Sequence, residues 1–369
     1  MKKEHSFLEI HPDFKLNGTH YSADELKLVA YSFIKEGEFY EEQIGNFLLD
    51  WLNEDYDTIK IRTSGSTGQP KVHFVGKDKM IASALATGKF FKIKEKSTAL
   101  LCLPAQFIAG RMMLIRAMML GWHLDLVNPN SAPLEQVFKR YDFCAMTPFQ
   151  LDNSLNRLHL IKKLIVGGGT VSENLINLIQ GLSTKVYEVY GMTETVSHVA
   201  ARKLNSKRTN EDEFQLKPFK ALPKISFGQD DRNCLIIRAP KIVDKPLITN
   251  DIVDLETYKK FYWKGRFDNV INTGGIKIFP EVVERKLQAI ITQRFFLAGI
   301  PDDALGEKLI LFVEAPHSDQ FLSDLKEGVN QLSSLDKFER PKHIYLIDKF
   351  EETDNGKVHR KRTLKNLMK

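Results

Sequence analysis

The run Thr63-Ser64-Gly65-Ser66-Thr67-Gly68-Gln69-Pro70-Lys71 gathers hydroxyls, glycines and one lysine into a single short stretch. Gly65 and Gly68 let a backbone come close to an anion, and Ser64, Ser66 and Thr67 can donate to phosphate oxygens alongside the N–H groups. Lys71 adds a mobile positive charge. This is the chemistry of a polyphosphate cradle. It differs from the Gly-Lys-Ser/Thr loop that opens a helix, because Pro70 precedes the lysine and Lys71 to Val75 alternates apolar and polar as a strand does. Asp57 to Arg62 leads in with the same period, so the loop is expected between two strands. A plain hairpin turn would need only about two to five residues and no lysine.

Further groups able to do chemistry follow in order: Gly168-Gly169-Thr170, Tyr190-Gly-Met-Thr-Glu-Thr195, Ile248-Thr-Asn-Asp251, Gly265-Arg-Phe-Asp268, Thr273-Gly-Gly275 and Asn355-Gly-Lys357. With the loop at residues 63–71, this series resembles the signature motifs of the acyl-adenylate-forming enzymes, which comprise acyl- and aryl-CoA ligases, luciferases and carrier-protein adenylation domains. The resemblance runs from about residue 57 to the C-terminus.

The resemblance implies a two-step activation of a carboxylic acid with ATP, Mg²⁺ and CoA. Ser64 to Gly68 and Lys71 would hold the β- and γ-phosphates, and Gly168, Gly169 and Thr170 would lie along the adenine with Tyr190 stacked on it. Thr193 would reach the α-phosphate and Glu194 would bind the metal, a role that suits a hard carboxylate oxygen. Asp251 and Arg266 would hold the ribose, Asp268 would be the hinge, Gly274 and Gly275 would approach the pantetheine arm, and Lys357 would stabilise charge in the first step. The family pattern has glycine before the ribose aspartate, and this chain has Asn250 there. Asn tolerates positive φ, so the turn is expected to be kept. The usual proline and arginine upstream of the lysine are also missing from Glu351 to Asp354.

For the acid, Leu103 to Gly110 followed by Arg111 to Arg116 resembles the pocket segment of o-succinylbenzoate:CoA ligases of menaquinone biosynthesis. Such an aromatic acid carries a second carboxylate, so its pocket needs a further cation and apolar walls. Arg116 and Arg111 compete for that role. Five positions at about 100° each put them roughly 140° apart on one helix, so they should not face the same pocket. Phe107 and Met112 could flank the ring, or Met112 could be plain core. Other aryl- or fatty-acyl ligases, a carrier-protein adenylating enzyme and a nucleotide-binding homologue without turnover stay open.

The elements that would position these residues read as an α/β protein. A large domain, residues 1–265, should combine a mostly parallel sheet with a small β-rich subdomain, and a mobile α+β domain, residues 266–369, should carry the lysine. Ser22-Ala-Asp-Glu25 is a capping box ahead of a helix, and a second helix is expected over residues 41–52. Longer family members have much more chain ahead of the phosphate loop, so this sequence resembles a shortened one. The net charge of +6 suits anionic ligands and is mild for a nucleic-acid binder. The three cysteines, Cys102, Cys144 and Cys234, lie apart in apolar runs and read as buried thiols of a cytoplasmic protein. No window is long and apolar enough for a membrane span.

Overall fold

The computed structural model describes residues 10–63, 71–206, 216–352 and 358–367. The chain opens with β1 (Lys15–Leu16), α1 (Ala23–Glu36) and α2 (Phe39–Leu52), then a two-stranded antiparallel ribbon of β2 (Thr58–Thr63) and β3 (Lys71–Gly76). The capping box at α1 is formed: the Ser22 hydroxyl accepts from the Glu25 N–H at 3.3 Å, and the Glu25 carboxylate accepts from the Ser22 N–H at 2.8 Å. Thr63 pairs with Lys71 at the end of the ribbon, so the glycine- and hydroxyl-rich run is carried between two strands, as its sequence requires.

Next come α3 (Lys77–Phe91), β4 (Thr98–Leu101), α4 (Ile108–Leu120), β5 (His123–Leu126), β6 (Tyr141–Met146), α5 (Pro148–Asp152), β7 (Ile161–Val166), α6 (Glu173–Leu178) and β8 (Lys185–Gly191). The strands pair in the order β1-β5-β4-β6-β7-β8, all parallel. Strands buried on both faces should be apolar at every position. Here alternate residues serve two cores: Ala99, Leu101, Phe143, Ala145 and Ile165 join one, and Leu100, Cys102, Cys144, Met146 and Leu164 join the other. All three cysteines are buried free thiols.

From β8 the sheet changes sense. β9 (His198–Lys203), β10 (Phe219–Ala221), β11 (Ser226–Gln229), β12 (Cys234–Arg238), β13 (Leu247–Thr257) and β14 (Lys260–Arg266) continue it antiparallel, giving twelve strands in one hydrogen-bonded order. The β-rich stretch is therefore an extension of the large sheet. Lys241 and Ile242, between β12 and β13, form a turn.

A second sheet of five strands follows: β15 (Ile271–Thr273), β16 (Ile276–Ile278), β17 (Phe295–Asp302), β18 (Gly306–Glu314) and β19 (His343–Ile347), with α7 (Pro280–Leu287), α8 (Asp319–Gln331) and α9 (Arg360–Leu367). Leu297, Leu309 and Leu311 face a core with α7 and α8, while Phe296, Ile310 and Phe312 face Phe350 and the α9 side. Among the described residues no helix is long and apolar enough to cross a membrane. Ser22→Ala should lower stability by about 1 kcal/mol, seen as a lower urea midpoint with an unchanged slope. An unaltered midpoint would mean that α1 is held by its apolar face alone.

Candidate active site

The turn from β8 into β9 does most of the positioning. Thr193–Thr195 forms one turn of 3₁₀ helix, and Val196 then takes φ 64° and ψ −52°, while the Ser197 N–H donates to the Thr195 carbonyl at 2.6 Å. That is a γ-turn of the strained hand on a buried β-branched residue, a conformation costing on the order of 1–3 kcal/mol. Gly191 has no room for a side chain: a Cβ would meet the Ser197 carbonyl oxygen at 2.4 Å. The tight reversal leaves Thr193 half-buried and Glu194 exposed, and turns Ser197 and His198 toward α4. Among the described residues the Glu194 carboxylate has no hydrogen-bond or ion-pair partner, so its hard oxygens are available to a cation.

At the end of β8, Tyr190 lies 5.2 Å from the Phe261 ring and 5.8 Å from that of Phe219. Its hydroxyl donates to Asp251 Oδ2 at 2.6 Å, and burial, followed by the Asp251 charge, pushes the phenol pKa well up. Asp251 is only 6% exposed on β13. Its Oδ1 accepts from Trp263 Nε1 at 3.2 Å and lies 3.7 Å from Arg266 Nη1. Each carboxylate oxygen has two acceptor sites, so capacity for ligand hydroxyls remains.

The positive-φ turn expected at Asn250 is absent. Asn250 lies inside β13 and is not among the residues with positive φ. It directly precedes Asp251, where the pairing of β13 with β14 begins, and its side chain accepts from Arg232 at 3.2 Å and donates to Asp268 Oδ2 at 3.3 Å. Asp268 also pairs with Arg266 at 3.2 Å. Gly168, Gly169 and Thr170 follow β7 as an exposed loop, where Gly168 needs glycine for its φ of 84°. Gly274 and Gly275 form the exposed tip between β15 and β16. Ser64, Gly65, Ser66, Thr67, Gly68, the Lys71 side chain and Lys357, expected at the phosphates and at the first step, lie outside the described residues.

The two candidate arginines part company on α4. Arg111 donates from Nε to the Ala105 carbonyl and from Nη1 to the Lys60 carbonyl, each at 2.8 Å, and lies 5.4 Å from the centre of the Phe47 ring. It ties α4 to β2, the strand that leads into the glycine- and hydroxyl-rich run. Arg116 is 2% exposed. Its Nη2 donates to Ser197 Oγ at 2.8 Å and approaches His198 Nδ1 at 3.4 Å, Nη1 reaches only the Met113 sulfur at 3.7 Å, and Nε has no partner. No described carboxylate pairs with it, and burial pulls its pKa down to about 9. Phe107 is 43% exposed at the start of α4, and Met112 is wholly buried core. Sequence reasoning missed Ser197, His198 and Thr87; the first two come just after the Tyr190–Thr195 motif, with only Val196 between, and that proximity was the available signal.

Residues 51–218 match the family model described as AMP-binding enzyme. A solved AMP-forming acyl-CoA synthetase/AMP-acid ligase II-like protein from Dyadobacter fermentans is 34% identical, with a TM-score of 0.59, covering 92% of this chain and 98% of that one. The chain belongs to the AMP-binding, acyl-adenylate-forming enzyme family. Among longer members, the 2-succinylbenzoate–CoA ligase of Enterococcus faecalis is 26% identical over 81% of this chain and 67% of its own length. The o-succinylbenzoate CoA synthetase of Bacillus subtilis, solved with its acyl-adenylate intermediate, has a TM-score of 0.68 at 20% identity, over 82% of this chain and 68% of that one. In this acyl-adenylate-forming enzyme, Arg111→Ala should cost about 1–3 kcal/mol, because two carbonyls lose a charged donor. Thermal melting checks the cost, and the relative kcat/KM values for different acids should stay as in the wild type. A changed acid preference would bring Arg111 back into the pocket.

Proposed function

We propose that this protein is an ATP-dependent acid:CoA ligase, forming an acyl-adenylate and then a thioester, and that its acid is o-succinylbenzoate or an aromatic acid with the same second carboxylate. The observation that carries the choice of acid is Arg116. A buried guanidinium without an acidic partner leaves a desolvation cost of several kcal/mol uncompensated, and an anionic group of the ligand would offset it. The resemblance to 2-succinylbenzoate–CoA ligases supports the same acid.

In this reading the loop at Ser64 to Lys71 holds the phosphate tail. Gly168 to Thr170 border the adenine, and Tyr190, its hydroxyl fixed on Asp251, presents a ring of set orientation to it. Asp251 and Arg266 take the ribose hydroxyls, and Thr193 reaches the α-phosphate. Glu194 would hold a magnesium ion, whose contribution once bound is to screen phosphate charge. Lys357 stabilises charge between the incoming carboxylate and the α-phosphate, so positioning and electrostatics account for the chemistry. Residues 266–369 form a unit that turns about Asp268 between the two steps and brings Gly274 and Gly275 toward the pantetheine arm of CoA.

Pyrophosphate exchange and CoA-thiol consumption across a panel of carboxylic acids test the activity, with o-succinylbenzoate preferred over unsubstituted benzoate and fatty acids. Equal or better turnover of fatty acids would overturn the choice of acid. Lys357→Ala should abolish adenylation yet spare thioester formation from supplied adenylate; equal loss of both steps would contradict its role. Arg116→Ala should raise KM for o-succinylbenzoate by about tenfold or more, the range for losing a charged hydrogen bond, and raise it far less for benzoate. Equal changes for the two acids would remove Arg116 from the pocket.

A further inference from the structure

Behind Arg116 a line of hydrogen-bonding groups runs from β9 into α3, shut off from solvent. The Thr87 hydroxyl donates to the Ser83 carbonyl, one turn back along α3, at 2.9 Å. Its single proton is thereby used, so it can only accept from His198 Nε2, 3.4 Å away. Nε2 must then carry the imidazole proton, and Nδ1 presents a lone pair to Arg116 Nη2 at 3.4 Å and to Ser197 Oγ at 3.3 Å. The ring is 6% exposed and stands edge-on to Phe91 at 6.1 Å, which fixes its plane. Burial and the Arg116 charge both push its pKa well below the usual imidazole range, so the ring is neutral.

We infer that His198 is the positioning residue for Arg116, a neutral buried acceptor that aims the guanidinium at the acid's second carboxylate without neutralising it. The inference rests on the reading of Arg116 given above. An Asp or Glu at this place would satisfy Arg116 internally and leave nothing for an anionic ligand. An aliphatic side chain would leave Nη2 with Ser197 as its one polar neighbour, and the guanidinium would be free to turn toward Met113. A neutral imidazole of fixed tautomer avoids both outcomes, which makes residue 198 a determinant of which acids are accepted. Thr87 contributes at one remove by holding the tautomer.

The experiment compares kcat/KM for o-succinylbenzoate with that for benzoate in the full-length protein. In His198→Leu the ratio should fall about tenfold, mainly through KM for the dicarboxylate. His198→Asn, whose carboxamide oxygen lies near the place of Nδ1, should restore most of it, and Thr87→Val should lower it in the same direction. A ratio in His198→Leu equal to that of the wild type would overturn the inference, as would a loss identical for both acids and not rescued by Asn. Should the Leu variant fail to fold, ¹⁵N NMR of the wild type still decides: a neutral ring protonated on Nε2 supports the role, and a ring protonated on Nδ1 overturns it. If the wild type itself shows no preference for the dicarboxylate, the reading of the acid fails first, and this inference goes with it.

Discussion

The site depends on the reversal between β8 and β9. β8 has a parallel neighbour on one side and an antiparallel one on the other, so the chain must turn back on itself within the few residues after Tyr190. The space for this turn is so small that Gly191 cannot bear a side chain and Val196 is forced into a γ-turn. The strain is held by buried neighbours on both strands. Its yield is divergence: within one short stretch Tyr190 faces Asp251 on the antiparallel side, Glu194 faces outward, and Ser197 and His198 face α4.

The comparison of two buried arginines explains why one of them points to a ligand. Arg202 is 4% exposed, but its Nη2 lies 2.6 Å from Glu188, with Nε at 2.7 Å from the same oxygen. It also lies over the Phe219 ring at 4.3 Å. That charge is satisfied inside the protein. Arg116 is as deeply buried and has a hydroxyl, an imidazole and a thioether for company. The low dielectric that strengthens the first pair leaves the second cation short of an anion.

On the far side of the site, Asp251 is knitted into the antiparallel part of the large sheet. Trp263 and Arg266 on β14 both address Asp251, and Asn250 beside it contacts Asp268. Arg232 joins this group through Asn250 and lies 5.1 Å from the Phe267 ring. Where the family pattern has glycine, Asn250 thus supplies a side-chain bridge between Arg232 and Asp268.

The local elements and the order of the motifs were legible in the residues alone. Continuous apolar runs specified the parallel strands, period-two alternation specified the ribbon of β2 and β3, the Ser22–Glu25 box specified the start of α1, and the spacing on α4 separated Arg111 from Arg116, because each of these follows from short-range geometry. Tertiary structure decided which arginine is buried without a counter-ion, that the β-rich stretch extends the large sheet, and that Asn250 is extended. It also brought Thr87 on α3 to the His198 ring that meets the Arg116 guanidinium, residues far apart in the chain. Those outcomes turn on which strands become neighbours and which polar groups lose water, and no local pattern of residues encodes either.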